Sequence, residues 1–312
     1  MKRFLTYLGY ATTIVALFFF CYKIYRFRDH LEVALTQWSA LLAILLGSCV
    51  IALARVLPAI AWHSIINYTS PRPISLIPIY KVYSKTQINK YIPGNVFHFL
   101  SRHIAGIKLG LNHRQLFLAS AQEIFGLILA TIVLGSFASI PYFSKDNDFP
   151  LGQTFALAAT FFILGSISSS LIFNRFFLKP VKLKPKEAIN FFLPQYASYI
   201  AFMVINGSVL LLTYVLLGTE YSIRFHLYCV SAYSFAWLSG FLVPGASAGI
   251  GVRESILVVL FSSYTAPSSA ISAIILMRVI STFADILFFI SSYFLDGNSK
   301  LKSNHHNDLS PP

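Results

Sequence analysis

Long apolar runs separated by short polar segments make up most of this chain of 312 residues. A helix that crosses a membrane needs about 20 consecutive apolar residues. The runs predict such helices over 4–22, 38–59, 115–140, 151–173, 191–217, 225–243 and 267–294. No stretch alternates with the period of two that a membrane barrel requires. We therefore expect an all-α, polytopic bundle of transmembrane helices.

One stretch, Phe241–Glu254, interrupts this apolar pattern and reads FLVPGASAGIGVRE. Pro244 cannot continue the helix that leads into it, and Gly249 and Gly251 permit positive φ and close backbone approach. Irregular backbone at membrane depth is tolerated only where protein buries it or a water-filled cavity meets it. We interpret residues 244–264 as a broken or re-entrant helix. The chain has eight spans if this element crosses the membrane and seven if it does not.

A second Pro-Gly step, Pro93-Gly94, lies in the basic segment that follows the second predicted span. We interpret residues 77–106, which surround it, as an amphipathic or re-entrant hairpin. Arg102 follows Pro93 by nine residues, and Arg253 follows Pro244-Gly245 at the same spacing. Matching interrupted segments in two halves of a chain point to a binding site near the middle of the membrane. The matching spacing is consistent with an inverted repeat. It is also consistent with chance, because the chain has many prolines and glycines.

Composition leaves little room for a large soluble domain. Hydrophobic residues make up 56% of the chain and charged residues 11%, against about 25% charged residues in soluble proteins. The net charge of +13 would suit a nucleic-acid-binding protein, but the cations cluster in loops between spans, as the positive-inside rule predicts. We expect one transmembrane domain over 1–295, a polar disordered tail over 296–312, and no nucleic acid as a partner.

Charged residues in or beside the apolar segments are the candidate functional residues. A charge at the centre of a membrane helix costs about 2.5–3.5 kcal/mol on insertion scales, so such residues face the protein interior. Arginine binds phosphate through its planar guanidinium fork, and carboxylates would balance the empty site. The candidate substrate-binding residues are Lys90, Arg102, Glu123, Arg253, Glu254, Arg278 and Asp285, and the candidate hinge residues are Pro93, Gly94, Pro244, Gly245, Gly249 and Gly251. The alternative is a buried ion-pair network that only ties helices together.

Spacing adds two expectations about these charges. Arg278 and Asp285 are seven residues apart on one face of the last helix. Their axial separation of about 10 Å is long for a direct bond, so each should pair with another element. Arg55 lies near one end of its predicted span, and we interpret it as an interfacial anchor. The sequence has no nucleotide-binding, metal-binding or serine-hydrolase motif, so we predict no catalytic residue, no metal and no cofactor.

Two motifs resemble those of the lysylphosphatidylglycerol synthase transmembrane, or flippase-like, family of bacterial inner-membrane proteins. KYIPGNVFHFLSRH at 90–103 is similar to that family's Lys-Tyr-Leu-Pro-Gly-Asn-Val step, which an arginine follows. VPGASAGIGVRES at 243–255 is similar to its later Pro-Gly step, which ends in Gly-Val-Arg-Glu. Glu123 matches a glutamate in the following span, and Arg278 matches an arginine in the last span.

The second motif departs mildly from the family pattern at Ser247, Ala248 and Ile250, and it keeps the glycines beside Arg253. The resemblance covers about residues 5–295. It implies a multi-pass protein of the bacterial inner membrane that handles lipids, without the soluble aminoacyl-transferase domain of the namesake proteins. The implied cargo is an anionic phospholipid or a lipid-linked sugar phosphate, in the assembly of cell-envelope polysaccharide or glycolipid. The protein partners it allows are a second copy of the chain or glycan-assembly enzymes.

Three functions stay open on the sequence. The first is a flippase-like translocase, in which arginines hold a phosphate, carboxylates supply counter-charge or a proton relay, and the Pro-Gly breaks act as hinges. The second is a membrane-embedded transferase acting on a polyprenyl phosphate, with Glu123 or Glu254 as general base, although the chain lacks a metal-binding carboxylate pair. The third is a non-catalytic scaffold of a glycan-assembly complex, in which the buried charges matter only for stability.

Overall fold

The computed structural model describes residues 38–70, 72–92, 96–136, 184–243, 247–262 and 264–307, with isolated positions at 22, 25, 160, 163–168 and 171. Within these ranges the regular structure is helical and no strand occurs, so the predicted all-α class is confirmed for this part of the chain. The spans predicted over 4–22 and 151–173 lie almost wholly outside the described residues. The same is true of the two Pro-Gly steps, so the predicted breaks at Pro93, Gly94, Pro244 and Gly245 stay predictions.

The described helices follow one another along the chain as α1 (Trp38–Ala54), α2 (Val56–Thr69), α3 (Leu76–Gln87), α4 (Phe97–Lys108), α5 (His113–Gly135), α6 (Pro185–Leu216), α7 (Ile223–Leu242), α8 (Val252–Phe261) and α9 (Pro267–Asn307). A 3₁₀ turn at Ile88–Tyr91 follows α3, and another at Ser247–Gly249 precedes α8. Among the described residues, four stretches are long and apolar enough to cross a membrane: Trp38–Thr69, His113–Gly135, Lys186–Leu216 and Pro267–Leu295. These are the helices of a membrane protein.

Three of the helices are too short to cross a bilayer alone. α3 and α4 have 12 residues each and α8 has 10, which gives lengths of about 15–18 Å. The hydrocarbon core of a bilayer is about 30 Å thick. α3 and α4 pack against each other and form a helical hairpin in the range where the sequence predicts one.

α9 begins at Pro267, a position at which the missing proline N–H has no helical partner to lose. The helix runs on to Asn307, beyond residue 296, where the sequence predicts a polar tail. Between Pro267 and Pro311 the sequence contains no proline that would stop it. α9 is therefore the longest helix in the described ranges, and it contacts α1, α3, α6 and α8.

α5 starts at a reciprocal cap that fixes its position against α2. The side-chain oxygen of Asn112 accepts the backbone N–H of Gln115 at 2.9 Å, and the side chain of Gln115 accepts the N–H of Asn112 at 3.0 Å. This arrangement satisfies two of the amide donors that a helix leaves free at its start. The Gln115 amide also donates to the carbonyl of Thr69 at 3.0 Å. α5 is thereby held to the end of α2, with Glu123 two turns further along.

Small residues let the long helices approach closely, as is usual between membrane helices. A Cβ added to Gly207 of α6 would lie 2.4 Å from the Cα of Val230 in α7. A Cβ on Gly126 of α5 would lie 2.3 Å from the ring of Tyr199 in α6. These glycines therefore set the distances between α5, α6 and α7.

We predict that Gly207→Ala lowers stability, because the new methyl group meets backbone rather than a movable side chain. Overpacking of this kind costs about 1–3 kcal/mol. The matched control is Gly135→Ala, whose Cβ would lie 3.4 Å from the nearest α7 backbone atoms, at Phe235. Thermal unfolding in detergent should show a lower melting temperature for the first variant alone. Equal melting of both variants at the wild-type temperature would contradict the described contact between α6 and α7.

Candidate functional site

A cavity of about 100 Å³ lies where the short helices meet the long ones. One water needs about 10–15 Å³ on this scale, so the cavity has room for several waters or a small polar group. Its charged lining residues are Arg55, Lys90, Glu123, Arg253, Glu254, Arg278 and Asp285. The structure thus brings together every predicted substrate-binding residue except Arg102, and it adds Arg55.

The two 3₁₀ turns bring the halves of this site together. Ile88–Tyr91 contacts Ser247–Gly249, although the turns are more than 150 residues apart in the sequence. Lys90 belongs to the first turn, and Arg253 follows the second in the opening turn of α8. The cavity therefore forms between the α3–α4 hairpin, α8 and the long helices behind them.

Asp285 of α9 is the most heavily shared acceptor in the cavity. Its carboxylate accepts hydrogen bonds from the Lys90 ammonium group at 2.8 Å and from the Tyr91 hydroxyl at 2.7 Å. The Arg55 Nη2 atom lies 3.0 Å from Oδ1 of the same carboxylate, and it also donates to the carbonyl of Ser281 at 3.3 Å. Two cations therefore share one buried carboxylate.

The interpretation of Arg55 as an interfacial anchor is wrong. The helical span does not end near residue 59 but continues to Thr69, so Arg55 lies near its middle. The residue is only 6% exposed. The α-helical pattern breaks at Arg55 between α1 and α2, because Pro58 has no N–H to give to the carbonyl of Ala54. The Arg55 side chain pairs with Asp285 inside the protein, instead of reaching towards the membrane surface.

Arg102 is fully buried behind the cavity wall and does not line the cavity. Its Nη1 atom pairs with Oε2 of Glu123, and Nη2 donates to Oε1 of Gln87 at 2.9 Å. The guanidinium carbon lies 3.6 Å from the ring centroid of Tyr83, whose hydroxyl donates to Glu123 at 2.6 Å. The carboxylate of Glu123 is thus held by two donors. This network ties α4 to α3 and α5.

Glu254 joins α8 to α9 through its two carboxylate oxygens. Oε2 accepts the backbone N–H of Gly251 at 2.7 Å, which caps the start of α8. Oε1 lies 3.1 Å from Nη1 of Arg278. The pairing agrees with the expectation that Arg278 and Asp285 each bind a different element. Within the first turn of α8, Glu254 is therefore a cap and an ion-pair partner at once.

The turn before α8 is tight enough to need glycine. Ala248, Gly249 and Gly251 all have positive φ, at 50°, 71° and 82°, a region that favours glycine. A Cβ on Gly249 would lie 2.4 Å from Nε of Arg253, and one on Gly240 of α7 would lie 2.5 Å from its Cγ. The Arg253 side chain therefore runs between two glycines into the cavity.

Arg253 differs from the other cations of the site in its partners. Its guanidinium carbon lies 5.3 Å from the ring centroid of Trp237, a distance at which a cation is attracted to an indole. Among the residues that the structure describes, no carboxylate lies within 4.0 Å of it, whereas the ion pairs found there occupy Arg55, Lys90, Arg102 and Arg278. Its Nε atom is buried without a hydrogen-bond partner, which is also true of one nitrogen each in Arg55, Arg102 and Arg278, so the missing carboxylate is what distinguishes Arg253.

Sequence reasoning missed several residues that line this cavity. The hydroxyl of Tyr83 donates to Glu123, and the hydroxyl of Tyr91 donates to Asp285. The ring of Trp237 lies against the Arg253 guanidinium group. Tyr91 lies next to Lys90 in the Pro-Gly motif, so its position gave a signal. Trp237 gave none, because it is one aromatic residue in an apolar helix. Within the described ranges, no three histidine, cysteine, aspartate or glutamate side chains are grouped to hold a metal ion.

No model of a known protein family matches the chain, and no curated protein matches it. The resemblance to the lysylphosphatidylglycerol synthase transmembrane family therefore depends on the motif residues themselves.

We predict that Arg102→Leu is strongly destabilising, whereas Arg102→Leu combined with Glu123→Leu recovers part of the loss. Removing one partner leaves an uncompensated buried charge and costs about 3–5 kcal/mol, but removing both does not. The measurement is a double-mutant cycle of thermal unfolding in detergent. Strictly additive losses in the double variant would show that the two groups do not form a buried pair.

Proposed function

We propose that the protein is a flippase-like lipid translocase of the bacterial inner membrane, which holds the phosphate of an anionic phospholipid or a lipid-linked sugar phosphate in this cavity. The observation that carries the proposal is Arg253. It is a half-buried guanidinium group in a polar cavity, with no carboxylate at pairing distance among the described residues. A phosphate would supply the missing partner, and a guanidinium fork binds phosphate through two hydrogen bonds.

The depth of the charges favours a membrane cargo. Glu123 lies near the middle of its apolar helix, and Arg278 and Asp285 flank the middle of Pro267–Leu295, the apolar part of α9. A charged headgroup that crosses a bilayer must leave water, and a polar cavity at mid-depth lowers the cost of that step. In this reading, the cavity is the halfway site of the headgroup while the acyl chains stay in lipid.

The short helices are the elements that we expect to move. The α3–α4 hairpin and α8 do not cross the membrane alone, and ion pairs attach both to α9 through Lys90–Asp285 and Glu254–Arg278. An anionic headgroup competes with these carboxylates for the same cations. Binding would thus loosen the hairpin and α8, with the two Pro-Gly steps as hinges. Seven or eight spans, two broken helices and an inverted repeat are parts of this proposal.

We predict that Arg253→Gln slows translocation of fluorescent phosphatidylglycerol in reconstituted vesicles at least tenfold, because it removes the cation but no internal ion pair. Gly240→Ala keeps the charge but displaces the Arg253 side chain, so it should cause an intermediate loss. Lys108→Gln, at the exposed end of α4, is the control and should keep the wild-type rate. Wild-type rates for Arg253→Gln would contradict the proposal.

The same variants distinguish a translocase from a scaffold and from a transferase. A scaffold predicts that Arg253→Gln lowers the melting temperature or the amount of protein, whereas a translocase predicts that both are kept. A transferase predicts a new lipid product when purified protein is incubated with a polyprenyl phosphate and candidate donors. Mass spectrometry of lipids that co-purify with the wild type and with Arg253→Gln identifies the headgroup in either case.

A further inference from the structure

The charges of the site do not balance. The cavity and the pair behind it contain five cations, which are Arg55, Lys90, Arg102, Arg253 and Arg278, and three carboxylates, which are Glu123, Glu254 and Asp285. The formal charge of this described set is therefore +2. Charges that lie at the middle of membrane helices are costly unless they are paired, so an excess of this size requires an explanation.

The excess can be assigned to particular residues. Arg102 and Glu123 form one pair, and Arg278 and Glu254 form another. Asp285 accepts from both Arg55 and Lys90, so one of these two cations is not neutralised. Arg55 also donates to the carbonyl of Ser281, so we assign the excess charge to Lys90. Arg253 is the second, since no described carboxylate lies at pairing distance from it.

These two unbalanced cations, Lys90 and Arg253, both line the cavity. Lys90 belongs to the first 3₁₀ turn and Arg253 follows the second, and the two turns contact each other. A single small group between them could accept hydrogen bonds from both. A monoanion would leave one positive charge uncompensated, whereas a dianion would neutralise the set.

We propose that the cavity is selective for a group with two negative charges, such as a phosphomonoester or a diphosphate, over a phosphodiester with one. This inference rests on the proposed function and names the class of headgroup that it would select. Lipids with one phosphodiester charge, such as phosphatidylglycerol, would then be accepted as weaker cargo.

The test uses two probe lipids that differ by one methyl group. Dioleoyl phosphatidate is a phosphomonoester, and dioleoyl phosphatidylmethanol is the corresponding phosphodiester. Phosphate monoesters lose their second proton near pH 6, and Lys90 must keep its own proton, so binding is measured at pH 6.5 with the full-length protein in detergent. Inorganic phosphate, added as competitor, separates a lipid site from a site for free phosphate.

The wild type should bind phosphatidate about tenfold more tightly than phosphatidylmethanol. Lys90→Gln and Arg253→Gln should each bring that ratio close to one, because either change leaves a single unbalanced cation. Lys90→Gln removes one ion pair but leaves the neighbouring Tyr91 bound to Asp285, and its melting temperature shows whether the fold is kept. Lys108→Gln should keep the ratio.

Each of the other outcomes contradicts a different part of the proposal. Equal and tight binding of both lipids by the wild type rejects the selectivity for a dianion but keeps the proposed function. A preference for phosphatidate that survives both substitutions rejects the assignment of the excess charge to Lys90 and Arg253. Inorganic phosphate that binds as tightly as phosphatidate keeps the dianion but rejects a lipid cargo. Binding of none of the three rejects both proposals.

Discussion

Charged side chains buried between membrane helices must neutralise one another, and this requirement organises the described structure. Asp285 binds Arg55, from the break between α1 and α2, and Lys90 and Tyr91, from the first 3₁₀ turn. Glu254 does the same on a smaller scale, because it caps α8 and binds α9. Helices of 10 or 12 residues are too short to cross a bilayer alone, and their ends leave unpaired backbone groups. The ion pairs fix where these short helices can lie.

α9 is consequently the common support for both halves of the site. Its Asp285 binds the first 3₁₀ turn, and its Arg278 binds α8. A change in either contact therefore alters the same helix. Arg102 works differently, because Glu123, Gln87 and Tyr83 hold it in a buried network away from the cavity. Among the described cations of the site, Arg253 is the one with no carboxylate at pairing distance. The architecture therefore separates a structural arginine from one that is open to a ligand.

The sequence was enough to predict the helical class, because apolar runs of span length have few stable solutions in a membrane. It also identified the charges that meet, since a charge in an apolar run is costly unless it faces a partner. It could not give the pairings, because Lys90 and Asp285 are brought together by folding and not by local spacing. Arg55 was misjudged because the apolar pattern weakens near residue 59, although the helix continues to Thr69.

A water-filled cavity with an excess of cations should attract negatively charged reagents, and labelling of a single thiol measures that preference. Ser281 lines the cavity, so Ser281→Cys is placed in a chain whose native cysteines, Cys21, Cys49 and Cys229, are alanine. The thiol is then labelled with anionic and cationic thiosulfonates of similar size. We expect the anionic reagent to react at least tenfold faster than the cationic one, and Arg253→Gln to reduce this difference. Equal rates, a faster cationic reagent or no reaction would contradict it.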